Sequence, residues 1–181
     1  MKKTLLLAGL AGMVAANAEA VDMTPYVGMD AGYAMVDGNE FTNGALSTKN
    51  WSLAAVLGAR TDHYGIEAFY MNSLRQHKSF EGEHYATRIS GYGVDALAFQ
   101  QLGCSGRWEL VGAAGIGEYK IKANYAEGGT SDTGYGYRLG GGLQYAMSEN
   151  TSLRVMYHHV WMNKSTIDSM DEYTIGFRYA F

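Results

Sequence analysis

The sequence predicts an all-β protein: an eight-stranded antiparallel up-and-down transmembrane β-barrel, preceded by a cleaved signal peptide. Three observations predict it. Apolar and polar residues alternate with period two through most of the chain, which is the period of a strand whose two faces meet different surroundings. The bulky apolar residues gather on one parity, while charge and glycine share the other. The connections between alternating segments run short, long, short, long, as the tight turns and longer loops of a membrane barrel do.

Composition sets the limits. The chain has 181 residues, a formal charge of −4, 24 glycines, 14 tyrosines, one proline and one cysteine. This length suits one domain. A single cysteine excludes an internal disulfide framework, a CxxC motif and any zinc site built from several cysteines. No basic run extends beyond Lys2-Lys3, so nucleic acid is not an expected partner. The mean hydropathy of −0.18 is what an alternating strand averages to while still showing lipid a continuous apolar band.

Residues 1–20 read as a leader. Lys2-Lys3 precede the apolar run from Leu5 to Ala16, and the small residues of Ala16-Asn17-Ala18 and Ala18-Glu19-Ala20 offer cleavage after Ala18 or Ala20. Residues 21–181 form the expected barrel. No later apolar run is long enough for a membrane helix.

The eight strands are expected near 24–36, 50–60, 64–73, 85–100, 107–122, 134–147, 151–162 and 172–181. The first carries Val27, Met29, Tyr33 and Met35 on one face and Asp30 on the other. The second sets Trp51, Leu53 and Leu57 against Arg60, and the third sets Ile66 and Tyr70 against Glu67. In the fourth, which includes Asp95, the parity is divided between Tyr92-Val94-Ala96-Ala98 and Leu97-Phe99, so a bulge or a register error is expected. Leu110 and Ile116 mark the fifth. The sixth alternates Tyr135, Tyr137, Leu139, Leu143 and Tyr145 with Gly136, Arg138, Gly140, Gly142 and Gln144. The seventh alternates Leu153, Val155, Tyr157 and Trp161 with Arg154, Met156, His158 and Val160. The last alternates Tyr173, Ile175, Phe177, Tyr179 and Phe181 with Glu172, Thr174, Gly176, Arg178 and Ala180. Turns are expected at 61–63, 101–106 and 148–150, and long polar loops at 37–49, 74–84, 123–133 and 163–171. An even strand number puts both chain ends on the periplasmic side.

The face that is large decides what surrounds the barrel. A soluble barrel fills its interior with bulky apolar residues. Here the polar face is rich in glycine and alanine, which suits the narrow interior of eight strands, and the large residues suit lipid. Aromatic residues gather at both strand ends: Trp51, Tyr70, Tyr135, Trp161 and Tyr173 at the outer end, and Tyr64, Trp108, Tyr145, Tyr179 and Phe181 at the other. Rings at both interfaces form membrane girdles.

The terminal run Tyr173-Thr174-Ile175-Gly176-Phe177-Arg178-Tyr179-Ala180-Phe181 resembles the C-terminal signal by which bacterial outer-membrane barrels are recognised by their assembly machinery. The stretch Trp108-Glu109-Leu110-Val111-Gly112-Ala113-Ala114-Gly115-Ile116-Gly117 is similar to a strand of the small OmpA-like and OmpX-like porin-family barrels. The resemblance covers the mature chain and implies a narrow barrel with a polar, ion-paired interior in the outer membrane. On that pattern Glu67, Arg138 and Arg154 are similar to the buried charge cluster of the OmpA membrane domain. Asp30, Glu67 and Asp95 are the expected partners of Arg60, Arg138, Arg154 and Arg178, with His158 joining the interior network.

No catalytic set, cofactor or metal site is expected. His77-Lys78-Ser79 matches in spacing the His-x-Ser pair of a lipid A deacylase but falls in an expected loop. His158 and His159 point to opposite faces and cannot converge on a metal. Cys104 lies in an expected periplasmic turn, as an exposed thiol or tucked against it. The expected partners are outer-membrane lipid and lipopolysaccharide, the barrel assembly machinery, and an extracellular ligand met through the loops. The leading function is a non-enzymatic role in envelope integrity or surface interaction; the alternatives are a lipid A-modifying enzyme and a narrow solute channel.

Overall fold

The computed structural model describes residues 23–38, 49–74, 76–80, 83–125, 128–163 and 167–181. The expected leader at 1–20 and most of the first long loop lie outside the described residues. Among the described residues nine strands follow in chain order: β1 (Thr24–Gly38), β2 (Lys49–Arg60), β3 (Tyr64–Ser73), β4 (Gln76–Phe80), β5 (Glu83–Leu102), β6 (Trp108–Tyr125), β7 (Gly128–Ala146), β8 (Thr151–Asn163) and β9 (Ile167–Ala180). All pairings are antiparallel. β1 lies between β2 and β9, and the pairing of β3 with β5 closes the ring. β4 continues the line of β3 and pairs only with the first residues of β5, so nine segments make the eight staves that the alternation predicts. Closure leaves no stave with an unpaired edge inside the membrane.

The tight turns stand where they were expected. Thr61 N–H donates to the Tyr64 carbonyl at 2.7 Å, and the turn after β5 uses Gly103 and Gly106 at φ of 72° and 64°, where a side chain would be strained. The opposite end differs from expectation. The described residues of segments 74–84, 123–133 and 163–171, read as polar loops, lie largely in the sheet: β6 and β7 pair out to Tyr125 opposite Gly128, and β9 begins at Ile167. Ladder hydrogen bonds are made by backbone, so a polar hairpin tip in water continues a register already set below it.

These extensions are uneven. β5, β6 and β7 have 20, 18 and 19 residues, which at about 3.3 Å per residue and a tilt near 45° rise more than about 40 Å. That exceeds the roughly 25 Å apolar band of an outer-membrane barrel. The ten residues of β3 rise about 23 Å by the same measure. One wall therefore stands well above the membrane.

β5 corrects the expected bulge. Its register with β3 and β6 runs without a shift; Leu97 and Phe99 are buried at 4% exposure while Tyr92, Val94, Ala96 and Ala98 face outward. The shift in register falls instead between Asp37 and Gly38, where β1 meets β9. The interior is also less polar than its glycine content suggests. Phe69, Met71, Ile89, Tyr119 and Met170 build an apolar plug in the outer half, and Leu97, Phe99, Val111 and Met156 a second, smaller cluster. The Tyr119 ring takes the space left by glycines: a Cβ on Gly91 would lie 2.7 Å from its Cδ1, and one on Gly136 would lie 3.1 Å from its Cε2.

Candidate functional site: a charged belt across the barrel

Between the apolar clusters lies a belt of charge, with Glu67 at its centre. Glu67 is on β3, opposite Gly58 on β2 and Asp95 on β5. Its Oε2 accepts from Tyr26 Oη at 2.8 Å, Arg154 Nη1 at 2.9 Å and Arg178 Nε at 3.2 Å. Those donors stand on β1, β8 and β9. Around the ring β3 and β8 are four staves apart, so the Glu67–Arg154 pair spans the diameter.

The belt continues in both directions. Arg178 also binds Asp30 through two nitrogens, Nη1 at 2.5 Å and Nη2 at 3.0 Å. Arg154 Nε donates to Gln144 Oε1 at 2.8 Å, and Gln144 Nε2 donates to Glu109 Oε2 at 2.8 Å. Glu109 in turn holds Arg60 in a two-pronged pair at 2.8 and 2.7 Å. Asp30, Arg178, Glu67, Arg154, Gln144, Glu109 and Arg60 thus form one unbroken chain of charge-assisted contacts, the stronger class of hydrogen bond. A second group lies beside it: Arg138 Nε is 3.2 Å from Asp95 Oδ1, and its Nη2 is 3.8 Å from Glu172 Oε2. The Arg138 guanidinium also stacks 4.1 Å over the Phe69 ring.

Burial makes this pairing obligatory. Arg154 is 2% exposed and Asp95 2%, and a lone charge there would carry a desolvation cost of several kcal/mol. Asp95 and Glu67 are direct cross-strand neighbours, an arrangement that repels unless cations compensate; here each carboxylate has its own arginine, Arg138 for Asp95 and Arg154 with Arg178 for Glu67. A cavity of about 20 Å³ lies within the belt, lined by Asp30, Glu67, Asp95, Arg138, His158 and Glu172 among others, room for about one water molecule.

The interior residues named from sequence all lie in or beside this belt. Arg60 departs from its expected partners and binds Glu109 instead, because it sits at the terminal end of β2, below the reach of Asp30 and Asp95. Sequence reading missed Tyr26, Glu109 and Glu172 as members. Glu172 was legible as a neighbour of Arg178 on the polar parity of the last strand, and Tyr26 shares the parity of Asp30 on the first; what the pattern did not mark was that an aromatic residue there sets its hydroxyl on a carboxylate. His158 is buried inside, and His159 lies on the outer surface with Nδ1 2.6 Å from Asp171 Oδ1. Asp171 also accepts from Tyr157 Oη at 2.7 Å.

The outward residues fall into bands. Trp51, Tyr70, Trp161 and Tyr173 are exposed at the loop end, and Tyr64, Trp108, Tyr179 and Phe181 at the other. Tyr145 packs at a tilt against Trp108 with ring centroids 4.8 Å apart. Tyr173, Ile175, Phe177 and Tyr179 point outward from β9 and Phe181 is exposed just beyond it; Phe181 N–H donates to the Pro25 carbonyl at 3.1 Å, holding the chain end against the start of β1. Cys104 is exposed in its turn. The backbone of His77-Lys78-Ser79 lies in β4 rather than a loop; its side chains are outside the described residues.

A sequence profile described as "Outer membrane protein beta-barrel domain" matches residues 4–181. No curated protein sequence matches the chain. Among solved structures, Neisserial surface protein A is similar with a TM-score of 0.71 at 17% identity, over 87% of this chain and 97% of that one. A major outer membrane protein from Thermus thermophilus gives a TM-score of 0.62 at 13% identity, over 88% of this chain and 99% of that one. Ail, the attachment invasion locus protein of Yersinia pestis, gives 0.59 at 16% identity, over 88% and 97%. At such identities the likeness is one of fold.

Proposed function

We propose a role that proceeds from one fact: the chain belongs to the outer membrane protein β-barrel domain family and resides in the bacterial outer membrane. The role is structural and surface-presenting, without catalysis and without conduction. The observation that carries it is the Glu67–Arg154 pair across the lumen, continued to Asp30 on one side and Arg60 on the other, with a residual cavity of about 20 Å³. A hydrated ion or nutrient is far larger than one water, so passage would require the belt to open. What remains for function is the outer wall and the loops, where recognition is commonly placed on a rigid scaffold. In the same fold, Ail has been solved in complex with the heparin analogue sucrose octasulfate, and by analogy an extracellular ligand is expected at the outer end here.

Two experiments test this reading. Purified protein in planar bilayers is expected to give no ohmic steps; a reproducible conductance in the wild type supports the channel alternative instead. Mass spectrometry of lipid A from cells with and without the protein is expected to give identical spectra; a lost or added acyl chain would make it an enzyme. The proposal extends to biogenesis: residues 1–20 act as the export signal, and the outward row from Tyr173 to Phe181 is read by the assembly machinery.

A further inference from the structure

The tall wall carries a cationic patch that has no ion-pair partner among the described residues. On the outward face of β5, β6 and β7, Tyr92, Glu118 and Tyr135 form a cross-strand row with Tyr70 of β3, and Tyr92 is hydrogen-bonded to Glu118. The next outward row brings Lys120 opposite Ser90 and Thr133, and the row after it sets Arg88 directly opposite Lys122, with Ser131 beyond. Arg88 is anchored by donating from Nε to Asn72 Oδ1 at 2.9 Å. Among the described residues no carboxylate pairs with Lys120, Lys122 or Arg88.

Like charges placed directly opposite on one sheet face repel, and nothing in the fold requires them there, since neighbouring outward positions are Ser90, Ser131 and Thr133. Their height identifies the counter-charge. Tyrosines mark the boundary between hydrocarbon and headgroup. Two and four residues further along tilted strands correspond to about 5 and 10 Å above that boundary, the level of lipid phosphates rather than of hydrocarbon or bulk solvent. We infer that Arg88, Lys120 and Lys122 form a docking site for the phosphate groups of the outer-leaflet glycolipid, the lipid A portion of lipopolysaccharide. The lipid chains then lie against the apolar wall below, along Ile116 and Leu139, and the phosphate receives the patch's charge. This inference rests on the outer-membrane reading but not on whether the barrel is closed.

The test is binding of defined lipids to purified, folded protein in detergent, followed by native mass spectrometry. The probes are bisphosphorylated lipid A, the same lipid dephosphorylated, and phosphatidylglycerol. Each lysine at an anionic surface contributes about a factor of five, so Lys120→Gln/Lys122→Gln is expected to weaken lipid A binding about 25-fold, with a smaller dependence on salt. Arg107→Gln, which removes one charge from the opposite end, is expected to bind as the wild type does. Heat-modifiable migration on gels verifies that each variant is folded. The inference is overturned if dephosphorylated lipid A binds as tightly as the phosphorylated form, if the double variant changes affinity less than twofold, or if phosphatidylglycerol competes on equal terms. A conducting wild type would overturn the closed-barrel reading and leave this site standing.

Discussion

Replacing Glu67 by alanine perturbs the belt where most of its contacts converge. Three donors from β1, β8 and β9 lose a common acceptor at once. Arg178 keeps its two-pronged pair with Asp30, so its loss is partial. Arg154 keeps only the neutral oxygen of Gln144 and becomes a buried guanidinium without a carboxylate, a situation that costs about 3–5 kcal/mol. The Tyr26 hydroxyl is left without its acceptor, worth about 1 kcal/mol or more, and the two losses overlap because both groups reorganise around one hole. The expected destabilisation is about 4 kcal/mol. With a guanidinium m value near 4 kcal/mol per molar, the unfolding midpoint falls by about 1 M, measured by tryptophan fluorescence on protein refolded into lipid or detergent. Glu67→Gln, which retains one acceptor oxygen, is expected to fall about half as far. Arg154→Ala in the Glu67→Ala background removes the stranded charge, so the double variant should be more stable than the sum of the single losses by about 2 kcal/mol. A midpoint that moves less than about 0.2 M for Glu67→Ala, or strictly additive losses, would refute the claim that this pair braces the barrel.

Other expectations are narrower. Gly91→Val crowds the Tyr119 ring in the outer plug and should cost about 2 kcal/mol in the same unfolding assay; no change would mean the ring is free to move aside. Arg60→Ala leaves Glu109 held by Gln144 near the short-turn mouth, so its cost should stay near 1–2 kcal/mol, well below that of Glu67→Ala. Deleting Phe181 removes one backbone bond to Pro25 and should change stability in vitro by about 1 kcal/mol, while assembly in cells falls sharply; normal surface levels would argue against the assembly signal. Cys104, exposed in its turn, should react with a membrane-impermeant maleimide in permeabilised cells and not in intact ones, and labelling of intact cells would invert the orientation.

How much of this was legible depended on how differently the two faces of each strand were dressed. From Tyr173 to Phe181 the faces differ at every step, so orientation followed directly from alternation. β5 is apolar on both sides, Leu97 and Phe99 within and Val94 and Ala96 without, and hydropathy is blind to it; Asp95 was the one residue there whose placement in lipid is too costly to consider. The interior plug was hidden for a related reason: Met71, Ile89 and Met170 are as apolar as the lipid-facing residues, and only their shared parity with Glu67, Asp95 and Glu172 marks them as inward. Which arginine meets which carboxylate depends on the lumen crossing, and strands four staves apart leave no trace of that in local sequence. The hairpin tips were read as loops because polarity was taken for irregularity, whereas a ladder in water needs only backbone partners.

Closure of the lumen by the charged belt is tested most directly by single-channel recording on the refolded wild-type protein in planar bilayers. A silent bilayer is expected for the wild type, with any conductance confined to variants such as Glu67→Ala that break the crossing; stable ohmic steps from the wild type would contradict it.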